Sequence, residues 1–204
     1  GSATTGLMLK KTTAILENNV PFNMEADSLN CIVLGEHVTP GKPEWDIFIK
    51  EIRKEMTLKA GQRCTGIRRI FVPAARMEDV WKAISASLSQ TVIGNPLNEK
   101  VRMGSLAGET QRSEVRSQIA KLLATSQIIY GSLDSVEVVD ADAVKGAFIS
   151  PILLMNDKPH TSKEPHEVEA FGPVSTIMPY KNMEDAIALS KLGRGSLVTT
   201  IVTA

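Results

Sequence analysis

Apolar residues across 45–59 recur every three or four positions, at Trp45, Phe48, Ile49, Ile52 and Met56, with Asp46, Lys50, Arg53 and Lys54 between them. That period lays one apolar stripe along a helix. Gly61 stops the helix, and the short run 67–72 reads as a strand whose end Pro73 marks. The same change of period repeats along the chain. A polar turn bounded by Gly1 and Gly6 leads into a helix over 7–16, and further helices are predicted over 77–89, 109–126 and 183–192. Short apolar runs at 31–34, 127–130, 148–155, 174–178 and 197–202 read as strands, with turns at Pro40-Gly41-Lys42-Pro43 and Gly94-Asn95-Pro96. Helices alternating with short buried strands predict an α/β fold, a mostly parallel sheet flanked by helices.

Charge narrows the function classes. The chain carries 23 basic and 23 acidic residues with no basic block, so no field gathers nucleic acid or an anionic membrane. No apolar run approaches the roughly 20 residues that span a bilayer, and no basic-then-apolar secretory signal opens the chain. A cytoplasmic protein with two free thiols, Cys31 and Cys64, is the expectation.

Cys64 follows a helix stop and precedes a strand, so it sits in a connection where a thiol is reachable. The thiolate is the nucleophile, and Arg63 or converging backbone amides would raise its population; a buried structural thiol is the competing reading. Glu25 lies in a polar stretch between Val20 with Phe22 and the strand at Cys31, where partial desolvation would lift a carboxylate toward general-base use; a solvated loop acid is the competing reading there. His37, His160 and His166 have no metal-ligand spacing, so no metal is expected. Neither Gly104-Ser105-Leu106 nor Gly131-Ser132-Leu133 frames a nucleophilic serine, and the chain has no phosphate loop and no complete Gly-x-Gly-x-x-Gly.

Three separated segments resemble one family. Gly61-Gln62-Arg63-Cys64-Thr65 is similar to the nucleophile motif of the aldehyde dehydrogenase superfamily, and Glu169-Ala170-Phe171-Gly172-Pro173-Val174 resembles its cofactor-contacting motif. Gly1-Ser2 with Thr5-Gly6 resembles the turn that opens a helix beside the nicotinamide pyrophosphate. The resemblance covers essentially the whole chain in the family's order. Within the family, Arg63-Cys64-Thr65-Gly66-Ile67-Arg68-Arg69, and Met24-Glu25-Ala26-Asp27-Ser28 in place of the usual Glu-Leu-Gly-Gly-Lys, resemble the dehydrogenase domain of the bifunctional ring-opening enzymes of phenylacetate degradation.

The resemblance implies an aldehyde dehydrogenase catalytic domain over 29–204, truncated at its C-terminal end, with residues 1–28 a remnant of the nicotinamide-binding domain. It implies Cys64 as nucleophile and Glu25 as general base. The Cys64 amide and an asparagine upstream of residue 1 would stabilise the oxyanion. Gly1, Ser2, Glu169 and Phe171 are implied to bind the cofactor, NADP or NAD, in the complete enzyme. The implied substrate is a small-molecule aldehyde, CoA-linked in the subgroup, oxidised to the acid by a homo-oligomer. Two other readings stand beside it. A CoA-acylating dehydrogenase would use the same cysteine, although Glu25 argues against it, and a non-catalytic scaffold would leave Cys64 inert. The isolated chain is expected to bind cofactor poorly and to be inactive.

Overall fold

A computed structural model describes residues 2–194 and 196–204. Two short helices open it, α1 (Ala3–Lys10) and α2 (Thr13–Glu17). The turn expected over 1–6 is helix from Ala3 onward, because the Ser2 hydroxyl accepts from the Thr5 amide at 3.2 Å and caps the first turn. The single helix expected over 7–16 is broken at Thr12, whose backbone is extended and whose hydroxyl donates to Leu9 O at 2.8 Å. Among the described residues of α1 and α2 none is buried, and continuous burial begins at Ser28.

The remaining elements follow in alternation. They are β1 (Cys31–Leu34), α3 (Pro43–Thr57), β2 (Arg69–Pro73), α4 (Met77–Leu88), α5 (Glu109–Leu122), β3 (Gln127–Tyr130), β4 (Ile152–Met155), α6 (Glu164–Glu167), β5 (Val174–Tyr180), α7 (Met183–Lys191) and β6 (Thr199–Val202). The strands form one sheet in the order β3-β4-β5-β2-β1-β6, parallel throughout except for the antiparallel pair β3 and β4. The strand expected from residue 148 pairs only from Ile152, since Pro151 has no amide hydrogen to contribute. Among the described residues no helix is long and apolar enough to cross a membrane.

Successive side chains on a strand point to opposite faces, which explains why these strands read as continuous apolar runs. Ile32, Leu34, Ile70, Val72 and Ile177 pack with Trp45, Phe48 and Ile52 of α3 and Val80, Ile84 and Leu88 of α4. Cys31, Val33, Phe71 and Met178 face the other way, against Ala186 and Leu189 of α7. On that second face Ile152, Leu154 and Val174 meet Val115, Ile119 and Leu122 of α5. Helices thus cover both faces of the sheet.

Register decides where a site can be built. Thr199, Cys31, Arg69 and Thr176 stand side by side on β6, β1, β2 and β5. The segments leading into those four parallel strands therefore converge at one edge of the sheet, the edge where the strands begin. Open α/β sheets more often bind ligands beyond the carboxyl ends of their strands.

Candidate functional site

The backbone between α3 and β2 makes an unusual reversal. Lys59, Ala60 and Gly61 all have positive φ, at 54°, 52° and 70°. Two consecutive non-glycine residues in this region carry strain of about 1 kcal/mol or more each, so the surroundings must impose it. The turn that follows is closed by the Gly66 amide donating to Arg63 O at 3.1 Å, with Cys64 and Thr65 at its tip. Cys64 is exposed whereas Cys31 is buried, and both are free thiols. The structural-thiol reading therefore suits Cys31 and not Cys64.

The turn is held from its flanks. Asn30, buried just before β1, donates from Nδ2 to Cys64 O at 2.8 Å and to Gly66 O at 3.0 Å. Its Oδ1 accepts from Ser28 Oγ at 2.6 Å and from the Val198 amide at 2.9 Å, while Ser28 Oγ also accepts from the Leu197 amide. Gln62 Oε1 accepts from the Ala107 amide at 2.8 Å. Arg63 donates to Glu55 Oε1 of α3 at 2.5 Å, so the positive charge expected to favour a thiolate is offset by its own partner.

On the other flank stands Arg68, whose guanidinium is almost fully buried. It donates to Gly61 O at 2.9 Å, to Arg63 O at 3.3 Å and to Gly172 O at 2.8 Å. Its Nε lies 3.4 Å from Glu169 Oε1, and its Cζ lies 5.4 Å from the centre of the Phe171 ring. Burial lowers the Arg68 pKa, against the pull of Glu169. Burial likewise pushes the Glu169 carboxyl up, Arg68 holds it down, and the Asp27 charge adds to the rise. The structure thus brings the Cys64 turn and the 169–173 segment together. Glu169 is largely enclosed, while Phe171 stays 41% exposed.

Glu25 departs from expectation. It is exposed, not desolvated, because the 21–27 segment crosses the surface without regular structure and burial starts only at Ser28. Ser2 caps α1, and the Ala3 amide donates to Asp27 Oδ1 at 3.1 Å, so a carboxylate already occupies part of the helix start assigned to a pyrophosphate. Gly1 lies outside the described residues. Arg68 and Asn30 were not anticipated. The adjacent Arg68-Arg69 pair in an otherwise apolar strand entrance was the available signal, since a buried charge needs partners.

Arg69 answers the same demand structurally. It donates to Leu29 O, Leu189 O, Ser190 O and His166 Nδ1 at 2.8 to 3.2 Å, and so ties α7 to the sheet.

A profile of the aldehyde dehydrogenase family matches residues 1–204. The chain is 41% identical over 201 residues to a 3,4-dehydroadipyl-CoA semialdehyde dehydrogenase of Aromatoleum evansii, covering 98% of this chain and 39% of that protein. It is 38% identical over 104 residues to the protein MaoC of Klebsiella aerogenes, covering 50% of this chain and 29% of MaoC. A betaine aldehyde dehydrogenase of Staphylococcus aureus in complex with NAD+ superposes with a TM-score of 0.84 at 20% identity, over all of this chain and 38% of that one. An aldehyde dehydrogenase of Mycobacterium tuberculosis complexed with NAD+ gives 0.81 at 25% identity, over all of this chain and 40% of that one. The chain therefore spans well under half the length of these relatives. Its sheet, its motif order and its 41% identity across nearly every residue agree that the chain belongs to the aldehyde dehydrogenase family.

Proposed function

We propose that this chain carries the nucleophile of a nicotinamide-dependent aldehyde dehydrogenase that oxidises a CoA-linked semialdehyde to its carboxylic acid in aromatic catabolism. The observation that supports it most is the exposed Cys64 at the tip of a turn bonded, through Arg68, to the segment bearing Glu169 and Phe171. The substrate class is suggested by the semialdehyde dehydrogenase at 41% identity.

Cys64 Sγ attacks the aldehyde carbon, and the carbonyl oxygen becomes an oxyanion for which the Cys64 amide is a donor. A nicotinamide dinucleotide, when bound, supplies the hydride acceptor. The residues available suit it: Glu169 offers acceptor oxygens to ribose hydroxyls, Phe171 an exposed ring, and Ser2 with α1 a helix start for phosphate once Asp27 yields the Ala3 amide. The resulting Cys64 thioester takes up a water whose proton passes to Glu25, releasing the acid and the thiol. For this role the exposed Glu25 needs cover from parts of the enzyme outside this chain, or from bound substrate. Residues 1–28 fit a share of the nicotinamide-binding domain, since none of 2–27 is buried, with 29–204 in the catalytic domain. A reducing cytoplasm suits the two free cysteines, and a homo-oligomer is proposed for the complete enzyme.

The test is nicotinamide reduction, with NAD and NADP in separate assays, by the native-length gene product given a CoA-linked semialdehyde. Activity should vanish in Cys64→Ala and fall steeply in Glu25→Gln. Unchanged turnover by Cys64→Ala would exclude the mechanism, and acyl-CoA as product would point to the acylating reaction.

A further inference from the structure

Arg68 is the side chain that bonds both halves of the site, and its chemistry is more demanding than packing requires. Desolvating a guanidinium is unfavourable, and an apolar side chain of similar volume serves a purely structural purpose equally well or better. Here the burial is answered on every side: carbonyls of Gly61 and Arg63 from the nucleophile turn, the carbonyl of Gly172, the Glu169 carboxylate and the Phe171 ring from the other segment. A guanidinium presents five donors in one rigid plane, so several acceptors are fixed relative to one another; lysine holds a single nitrogen on a flexible stem. The two segments also touch directly, since a Cβ built at Gly61 falls 2.2 Å from Gly172 O. They therefore meet backbone to backbone, with Arg68 bridging the seam.

We propose that Arg68 is a positioning residue that locks the Cys64 turn and the Glu169–Phe171 segment into one unit, fixing the thiol relative to the nucleotide-binding carboxylate. The inference rests on the functional reading above. It adds that neither half keeps its geometry without the other. Glu169, by contrast, meets the Arg68 guanidinium and the Ser28 backbone, and glutamine keeps an acceptor for both, so removing its charge should leave the Cys64 turn in place.

The experiment compares Arg68→Met, Arg68→Lys and Glu169→Gln in the native-length gene product, each verified as folded by its thermal melt. Three quantities are read: NAD and NADP binding by calorimetry, the pH profile of Cys64 alkylation by iodoacetamide, and kcat and KM with a CoA-linked semialdehyde. In Arg68→Met nucleotide binding should weaken about tenfold, as for loss of one charge-assisted hydrogen bond. Its Cys64 alkylation profile should shift as well, and kcat should drop by about 100-fold through misplacement of the thiol. Glu169→Gln should weaken nucleotide binding alike but keep the wild-type alkylation profile. Arg68→Lys retains the charge and serves if Arg68→Met does not fold; it should show the same paired defect in milder form. A folded Arg68 variant with either the nucleotide affinity or the alkylation profile of the wild type overturns the proposal. Binding and alkylation need no turnover, so a wild type that binds nucleotide yet oxidises no semialdehyde counts against the functional reading alone.

Discussion

The carbonyl oxygen of Gly172 lies in the space a side chain at Gly61 would fill, 2.2 Å from an ideal Cβ. Gly61 also has φ +70°, a conformation that L side chains rarely adopt. Gly61→Ala should therefore force the two motif segments apart. The expected loss is about 2 kcal/mol or more of unfolding free energy by denaturant titration. Activity should be lost even at temperatures where the variant stays folded. A variant as stable and active as the wild type would show that the segments need not touch.

The two cysteines differ in access, and the difference is measurable without any substrate. Cys31 is 1% exposed on β1 with its sulfur 3.5 Å from Thr199 Oγ1, while Cys64 is exposed at a turn tip. Brief iodoacetamide treatment followed by peptide mass spectrometry should modify Cys64 and spare Cys31 until the protein unfolds. Equal labelling of both in the native state would contradict the burial of β1.

Asn30→Asp keeps the shape of the side chain but replaces the donor to Cys64 O and Gly66 O with an acceptor. Two carbonyls would then face a buried carboxyl group, and destabilisation of about 3 kcal/mol follows from the unpaired charge. Stability should recover partly in acid, where protonation restores a donor. Thermal melts at neutral and acid pH check both parts.

His166 makes the fold sensitive to acid. Its Nε2 faces Pro159 O at 2.9 Å and its Nδ1 faces the Arg69 guanidinium at 3.2 Å, so the neutral ring donates from Nε2 and accepts at Nδ1. Burial lowers its pKa, the Pro159 carbonyl opposes that, and the Arg69 charge adds to the fall. A base with a depressed folded-state pKa binds fewer protons folded than unfolded between the two values. Its contribution to stability is therefore complete above the ordinary histidine value of about 6.5 and is lost as pH falls through the lower folded value. His166→Gln, which can also accept and donate, should flatten that acid limb in denaturation measured across the window.

Much of the fold could be read from local pattern. The runs at 31–34 and 127–130 coincide with β1 and β3, and the helix over 45–59 is α3 displaced by two residues, because period is a local property that burial reinforces. The misses lie where tertiary contacts decide. The helix predicted to 126 ends at Leu122, and Asn156 Nδ2 reaches across to take Thr125 O. The polar turn at the start is helix because one serine caps it. In the site, Cys64 and the 169–174 motif were legible since each is contiguous. Arg68 and Asn30 were not, for their partners stand as far as 104 and 168 residues away. The desolvation expected of Glu25 is absent, and the solvated-acid alternative fits its exposure, because neighbouring apolar residues in sequence do not guarantee cover in space.

The edge where β6, β1, β2 and β5 begin has a consequence for how the molecule matures. Asn30, which holds the Cys64 turn at Cys64 O and Gly66 O, has its full set of bonds only after β6 has docked beside β1, since its Oδ1 accepts from Ser28 Oγ and also from the Val198 amide that leads into β6. Contacts closing so long a stretch of chain form late, after the local helices and the neighbouring strands. During refolding, the shielding of Cys31, which faces α7 and touches Thr199 of β6, and the full bonding of the Cys64 turn should therefore arrive together and late, so that protection of one thiol clocks the ordering of the other.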